Sequence, residues 1–269
     1  MGLIYCTQNK VNKPYYVEEL HLSLYSAEEL CYIIYEYFEI IQNALCKAEL
    51  FQFIKEELEY PELAQKLTRL QKEEHKQGDL LWEILSSIPY YSPAELKIWK
   101  EKLDRGKPLH PAQWLVERAK YYTKRKKYHR ALHAYQEFLS LYENQVHDPH
   151  LVAEVYAKMG YLSMGLFEFT RAASYYERSQ EIERSDTTLK NLYMVSLFDE
   201  GIRFSDAIKN QIPLEKADEW KKEWENLRMD IAIGEEVMNL RLLFQEKEEK
   251  TQEIEDIIVQ WKKEYDDML

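Results

Sequence analysis

The segment 151–186 limits what this chain can fold into more than any other part of the sequence. It reads as two amphipathic helices of similar length, joined by a short turn, within a period of about 34 residues. Small residues recur where the two helices would approach most closely, at Gly160, Ala172 and Ser179. Large residues would fill the groove between the helices: Tyr156, Met159, Phe167, Phe169 and Tyr176. The segment therefore predicts a packed helix hairpin.

The pattern occurs twice more along the chain. Residues 111–143 repeat it with Ala119, Tyr122, Ala131 and Tyr135, and a degenerate copy follows at about 187–212. Together these segments resemble the tetratricopeptide repeat (TPR), over roughly 100 residues. The resemblance implies an all-α fold, an α-α superhelix with a helical N-terminal region and a long C-terminal capping helix.

Four segments follow from the patterning along the chain. Capping boxes at Ser26–Glu29 and Ser92–Glu95 predict helix starts in the first half. The stretch Arg105–Pro108 is the clearest boundary in the first half. We expect an extended N-terminal arm or short hairpin over 1–25, a helical N-terminal region over 26–106, TPR-like repeats over 107–212 and a C-terminal helical segment over 213–269.

The C-terminal segment combines an apolar stripe with a strong acidic excess. Trp220, Trp224, Leu227 and Ile231 fall three or four apart, and Gly234 interrupts the stripe. Residues 214–269 hold 17 acids and 9 bases. We expect this segment to cap the open face of the last repeat, as solenoids require. The alternative is a partner-binding or coiled-coil helix.

Composition narrows the function classes. The net charge of −12 argues against general binding of nucleic acid or anionic membrane, which needs a dominant basic face. The three cysteines show no metal-ligand spacing and predict free thiols in a reducing cytoplasm. No signal peptide or membrane-spanning stretch is visible in the sequence. We therefore expect a cytoplasmic protein.

No catalytic or cofactor motif is present, so we expect neither an enzyme nor a cofactor. His129 and His133 have the spacing of two metal ligands on one helix, but no further ligand completes a set, and no metal is predicted. The basic run at 124–127, with Arg130, is either the solvated turn of a repeat or a dock for an acidic peptide.

The TPR resemblance also implies a binding groove, lined by the first helix of each pair. The corresponding positions are Gln113, Val116, Lys120, Lys124, Glu154, Ala157, Tyr161 and Met164. One subclass of the family binds a C-terminal carboxylate through a clamp of Lys, Asn and Arg. Here Val116 and Lys120 occupy the places of the first Lys and the Asn, so that clamp is not predicted.

The sequence thus predicts a non-enzymatic interaction scaffold or adaptor. Its partner would be a protein or peptide, acidic or amphipathic, bound in the groove. Two other functions stay open: a peptide-sensing regulator, and an enzyme with a site between the N-terminal region and the repeats. The groove itself is either open or filled by the chain's own C-terminal helix.

Overall fold

The computed structural model describes residues 11–41, 45–105, 109–143, 148–199, 201–245 and 251–268. The fold is all-α apart from one short hairpin, with fourteen α-helices within these ranges. The chain divides into two compact units, Met1–Arg118 and Ala119–Leu269. The division falls inside the helix Pro111–Lys124, which opens the first TPR-like segment.

Unit 1 begins, in its described part, with an antiparallel hairpin of β1 (Tyr15–Val17) and β2 (Leu22–Leu24). A single 3-10 turn joins the strands and ends at His21, whose φ of 46° lies in the left-handed region. Val17 and Leu24 point into the core of the unit. Of the two alternatives predicted for this part of the chain, the structure has the hairpin.

Two capping boxes start helices of unit 1 at the predicted serines. Ser26 Oγ accepts a hydrogen bond from the Glu29 amide at 3.2 Å, and α1 (Ala27–Ile41) follows. The Glu29 carboxylate accepts from the amide of Tyr25, one residue before the expected Ser26 amide. The next helices are α2 (Ala48–Glu56), α3 (Pro61–Lys72), α4 (Gln77–Ser87) and α5 (Pro93–Arg105). At the start of α5 the box is reciprocal: Ser92 Oγ accepts from the Glu95 amide at 3.3 Å, and Glu95 Oε2 accepts from the Ser92 amide at 2.8 Å.

The core of unit 1 lies around α4, which packs against α1, α3 and α5. Trp99 of α5 is almost fully buried, and its ring meets Phe38 of α1 edge-on at 5.5 Å between centroids. The sixth helix, α6 (Pro111–Lys124), starts against α1, because Trp114 Nε1 donates a hydrogen bond to the Ile40 carbonyl at 2.9 Å. Aromatic side chains thus hold the helices of this unit together.

Unit 2 contains the second half of α6 and the helices that follow it. They are α7 (Tyr128–Tyr142), α8 (Pro149–Gly165), α9 (Phe169–Ile182), α10 (Asp186–Phe198), α11 (Asp206–Lys209), α12 (Leu214–Ile233), α13 (Glu235–Gln245) and α14 (Thr251–Met268). Neighbours in sequence pack together from α7 to α10, which is compatible with a helical repeat.

The α8–α9 hairpin packs closely through the small residues that the sequence analysis identified. A Cβ atom added to Gly160 would lie only 2.7 Å from the ring of Tyr176. Ser179 Oγ donates a buried hydrogen bond to the Ala153 carbonyl at 2.8 Å, and Ala172 is fully buried. Because the backbones approach this closely, larger side chains are excluded at these positions.

The third copy departs from the expected pattern, because its second helix is only the four-residue α11. The next helix, α12, lies beside α10 instead. Asp186 contacts Lys216, Tyr193 contacts Trp220 and Phe198 contacts Trp224, so residue numbers rise together and the two helices run parallel. The short loop around α11 leaves α12 to cover the side of α10 that a full second helix would bury.

Within the described residues, the C-terminal segment is not one continuous helix, because α12 ends before Gly234. Gly234 separates α12 from α13, as a helix-breaking glycine can. Few side chains of the segment are buried: Trp220 in α12, none in α13 and Ile254 in α14. The helix α12 packs along α10, the first helix of the third copy.

Candidate functional site

The four groove residues predicted on α8 share one face of that helix. Glu154 is exposed, Ala157 and Met164 are half-buried, and the Tyr161 side chain is 53% exposed. This spacing of three and four residues places them in a row along the helix. The face is most accessible to a binding partner at Glu154 and Tyr161.

The four groove residues predicted on α6 do not behave as a set. Gln113 is exposed, but Val116 is 5% exposed and its side chain is not available to a partner. Both belong to unit 1, whereas Lys120 and Lys124 belong to unit 2 and are exposed. Val116 is buried because it continues the apolar side of α6 that includes Ala112 and Ala119. Only Lys120 and Lys124 stay candidates beside the α8 row.

The basic run lies in the turn between α6 and α7. Lys126 has a φ of 58°, and the Arg125 guanidinium lies over the Tyr121 ring at 4.7 Å. Tyr128, directly after the turn, meets Tyr161 of α8 edge-on at 6.4 Å between centroids. Partial burial raises the pKa of Tyr128, and the nearby Tyr161 hydroxyl raises it further to a smaller extent. The basic turn is therefore next to the C-terminal end of the exposed α8 face.

A further groove, absent from the sequence predictions, lies between α10 and α12. Its apolar walls include Met194 and Phe198 from α10, and Trp220, Trp224 and Leu227 from α12. It encloses about 650 Å³. Phe198 and Leu227 are each about half exposed, and the Phe198 and Trp224 rings lie 4.3 Å apart. We call this set the α10–α12 groove.

Two ion pairs connect the helices that form the α10–α12 groove. Lys190 Nζ contacts both carboxylate oxygens of Glu223, at 2.7 and 2.9 Å. Lys216 Nζ lies 2.6 Å from an Asp186 carboxylate oxygen. Exposed pairs of this kind contribute little to stability, about 0–1 kcal/mol each. Their effect is to surround an apolar groove with charge of both signs, which suits an amphipathic ligand.

The α8 face and the α10–α12 groove are joined by a common apolar cluster. Met164, at the end of the α8 row, packs against the buried cluster that contains Leu192 and Trp220. Phe169 of α9 stacks on Phe198 at 5.5 Å. The predicted α8 residues and the groove missed by the sequence analysis thus belong to one side-chain network in unit 2.

The remaining candidates are separate from this network. His129 and His133 are exposed on α7, and the described residues contain no group of three or more His, Cys, Asp or Glu placed to hold a metal ion. His150 is next to Glu183, at 2.6 Å, and a hydrogen bond to that carboxylate raises the pKa of the imidazole. His147 lies outside the described residues. Among the described residues, His129, His133 and His150 therefore lie on helix surfaces without a shared metal site.

The two described cysteines are free. Cys31 of α1 is fully buried, and burial raises the pKa of its thiol to about 12. Burial likewise raises the pKa of the Cys46 thiol to about 11. A raised thiol pKa disfavours the reactive thiolate, so both behave as small apolar side chains. Cys6 lies outside the described residues.

Comparisons with known proteins do not show a family for this chain. No protein-family model matches the chain, and neither the curated proteins nor the solved structures contain a significant match. Within the described ranges, no helix combines the length and apolar character needed to cross a membrane. The molecule is an all-α protein of packed helices, and its function must be argued from its surfaces.

Proposed function

We propose that this chain is a non-enzymatic, TPR-like adaptor of the cytoplasm that binds a segment of another protein. The α10–α12 groove carries the proposal, because it is an open apolar groove with charged side chains of both signs around it. Peptide recognition of the helix-in-groove type uses this combination of apolar anchors and a polar rim. The exposed α8 row extends the same surface through Met164.

Equivalent positions in the first two hairpins support the TPR-like part of the proposal. Ala131 and Tyr135 of α7 are buried, as are Ala172 and Tyr176 of α9. The turns before these helices contain a left-handed residue at the matching place, Lys126 in one and Phe167 in the other. The same small and large residues thus recur at matching places in both segments.

The partner segment that suits this surface is amphipathic, with acidic side chains. Its apolar residues would contact Met194, Phe198 and Leu227, whose side chains are partly exposed. Its acidic residues would face Lys120 and Lys124, which are exposed on α6. Apolar anchors supply most of the affinity in such complexes, and charges set orientation and rate.

Affinity capture from lysate of the source organism, with matched variants, tests the proposal. Leu227→Glu places a charge in the groove, whereas Met229→Glu changes another exposed apolar residue of α12 that does not line it. A protein captured by the wild type and by Met229→Glu, but lost with Leu227→Glu, is the expected result. The proposal is contradicted if both variants lose the captured protein equally, or if neither variant loses it. It is also contradicted if the wild type captures no protein.

A further inference from the structure

A second surface of unit 2 is formed by two hairpin turns that lie side by side. One is the α6–α7 turn, with Lys126 at φ 58°, and the other is the α8–α9 turn, with Phe167 at φ 60°. The Tyr128 ring holds them together, since a Cβ added to Gly165 would lie 2.6 Å from it. We call four residues of the two turns the turn surface, the exposed Lys124, Lys126 and Phe167 and the half-buried Lys127.

The last helix of the chain lies on the turn surface. Ile258, Trp261, Tyr265 and Met268 recur at helical spacing along α14 and, with Phe167, line one pocket. At the end of α14, Lys127 Nζ contacts the Asp267 carbonyl oxygen at 2.6 Å and its carboxylate at 3.6 Å. The contact therefore combines an apolar helix face with an acidic helix end.

This contact is loosely packed. The pocket between Phe167 and α14 is open and encloses about 670 Å³. Phe167 is 71% exposed, and Trp261 and Tyr265 are each more than 40% exposed. The Lys127–Asp267 pair is also solvent-exposed, and exposed ion pairs contribute little to stability. A helix that filled the pocket would bury more apolar area than α14 does and would displace it.

The charge of the turn surface indicates which kind of helix would displace α14. Lys124, Lys126 and Arg130 have no ion-pair partner within the described residues, so three cations beside Lys127 are available. The final turns of α14 present acids to this region, among them Asp266 and Asp267. Opposite charges attract over about one Debye length, so an acidic helix is favoured over a neutral or basic one.

We propose that the turn surface is a docking site for an acidic amphipathic helix of a partner protein, and that α14 occupies it in cis until displaced. The docking helix would carry apolar or aromatic side chains at the spacing of Ile258, Trp261 and Tyr265, followed by carboxylates. The turn surface shares Lys124 with the binding surface proposed above, but no residue that lines the pocket under α14 lines the α10–α12 groove. The variants below change only the pocket and α14, so their outcome is separate from the test of the adaptor function.

A labelled peptide with the sequence of residues 251–268 serves as the probe, and fluorescence anisotropy measures its binding to the full chain. The double variant Ile258→Glu with Trp261→Glu should release α14 and bind the peptide at least ten-fold more tightly than the wild type does. Adding Phe167→Ser to the double variant should abolish binding. Val259→Glu is the matched control, because Val259 is exposed on α14 but does not line the pocket. It should behave as the wild type.

Hydrogen exchange provides a second measurement that needs no released state. The amides of α14 in the full chain should exchange faster in Phe167→Ser than in the wild type, and at the wild-type rate in Val259→Glu. Unchanged α14 exchange in Phe167→Ser overturns the proposal. So does equal peptide binding to the wild type and the double variant, or self-association of the double variant without peptide binding, which would make a second copy the occupant.

Discussion

Replacing Gly160 with alanine tests the closest approach in the α8–α9 hairpin. The added Cβ atom would lie 2.7 Å from Cε1 of Tyr176 and 2.8 Å from Cδ1 and Cζ. Carbon atoms in favourable contact are about 3.5–4.0 Å apart. The ring has little room to move, because Tyr176 is 2% exposed and packs in the cluster with Leu189 and Leu192. The methyl group must therefore separate the helices or push the ring from its rotamer.

Two opposing effects determine how much Gly160→Ala changes the free energy of unfolding. Overpacking of a buried contact costs about 1–3 kcal/mol, and three short contacts to one immobile ring place Gly160→Ala near the upper value. Alanine in a helix interior is favoured over glycine by about 1 kcal/mol, which offsets part of the cost. The free energy of unfolding should therefore fall by about 1–2 kcal/mol.

Urea unfolding followed by circular dichroism measures this change, and Tyr176→Leu provides the matched background. Leucine lacks Cε1 and Cζ, two of the three atoms that the new methyl group would meet, so Gly160→Ala should cost much less there than in the wild type. If Gly160→Ala is as stable as the wild type, α8 and α9 do not approach as described. An equal loss in both backgrounds would show that the Tyr176 ring is not the cause.

Three further predictions concern local contacts. Ser179→Ala removes the buried hydrogen bond to the Ala153 carbonyl and should lower the free energy of unfolding by about 1 kcal/mol in urea titrations. Cys31, with its raised thiol pKa, should resist alkylation at neutral pH in the folded protein and react in urea, as read by peptide mass spectrometry. Hydrogen bonds from Ser92 lower the pKa of Glu95, so this carboxylate stabilises the fold above the unfolded pKa of 4.5. The stability difference between wild type and Ser92→Ala should narrow as the pH falls below that value.

Short sequence patterns predicted the features of the fold that depend on neighbouring residues, namely helix starts and close helix packing. The capping serines Ser26 and Ser92 precede helices because their hydroxyls accept amides that no helix carbonyl can reach. The small residues of segment 151–186 mark a close hairpin, since only they leave room for a neighbouring helix. The prediction of an all-α fold is confirmed for the same reason: helical periodicity and capping are properties of short stretches of chain.

The candidate site was predicted only in part. The α8 positions came from the TPR resemblance, and they share one side of the helix because their spacing of three and four residues is helical. The same resemblance included Val116, which is 5% exposed, since a repeat pattern does not show which side of α6 a neighbouring helix covers. The α10–α12 groove was missed, although its tryptophans were recognised as an apolar stripe, because its two walls come from segments separated by the loop around α11.

The sequence by itself thus determined the class of fold, most helix starts and the tight α8–α9 hairpin. Only the tertiary structure decided that α12 runs parallel to α10, that α11 is a single short turn of helix and that α14 lies on the turn surface. The physical reason is that the spacing of apolar residues indicates only which side of a helix is buried. The helix that covers that side is chosen by shape and charge across contacts between distant parts of the chain.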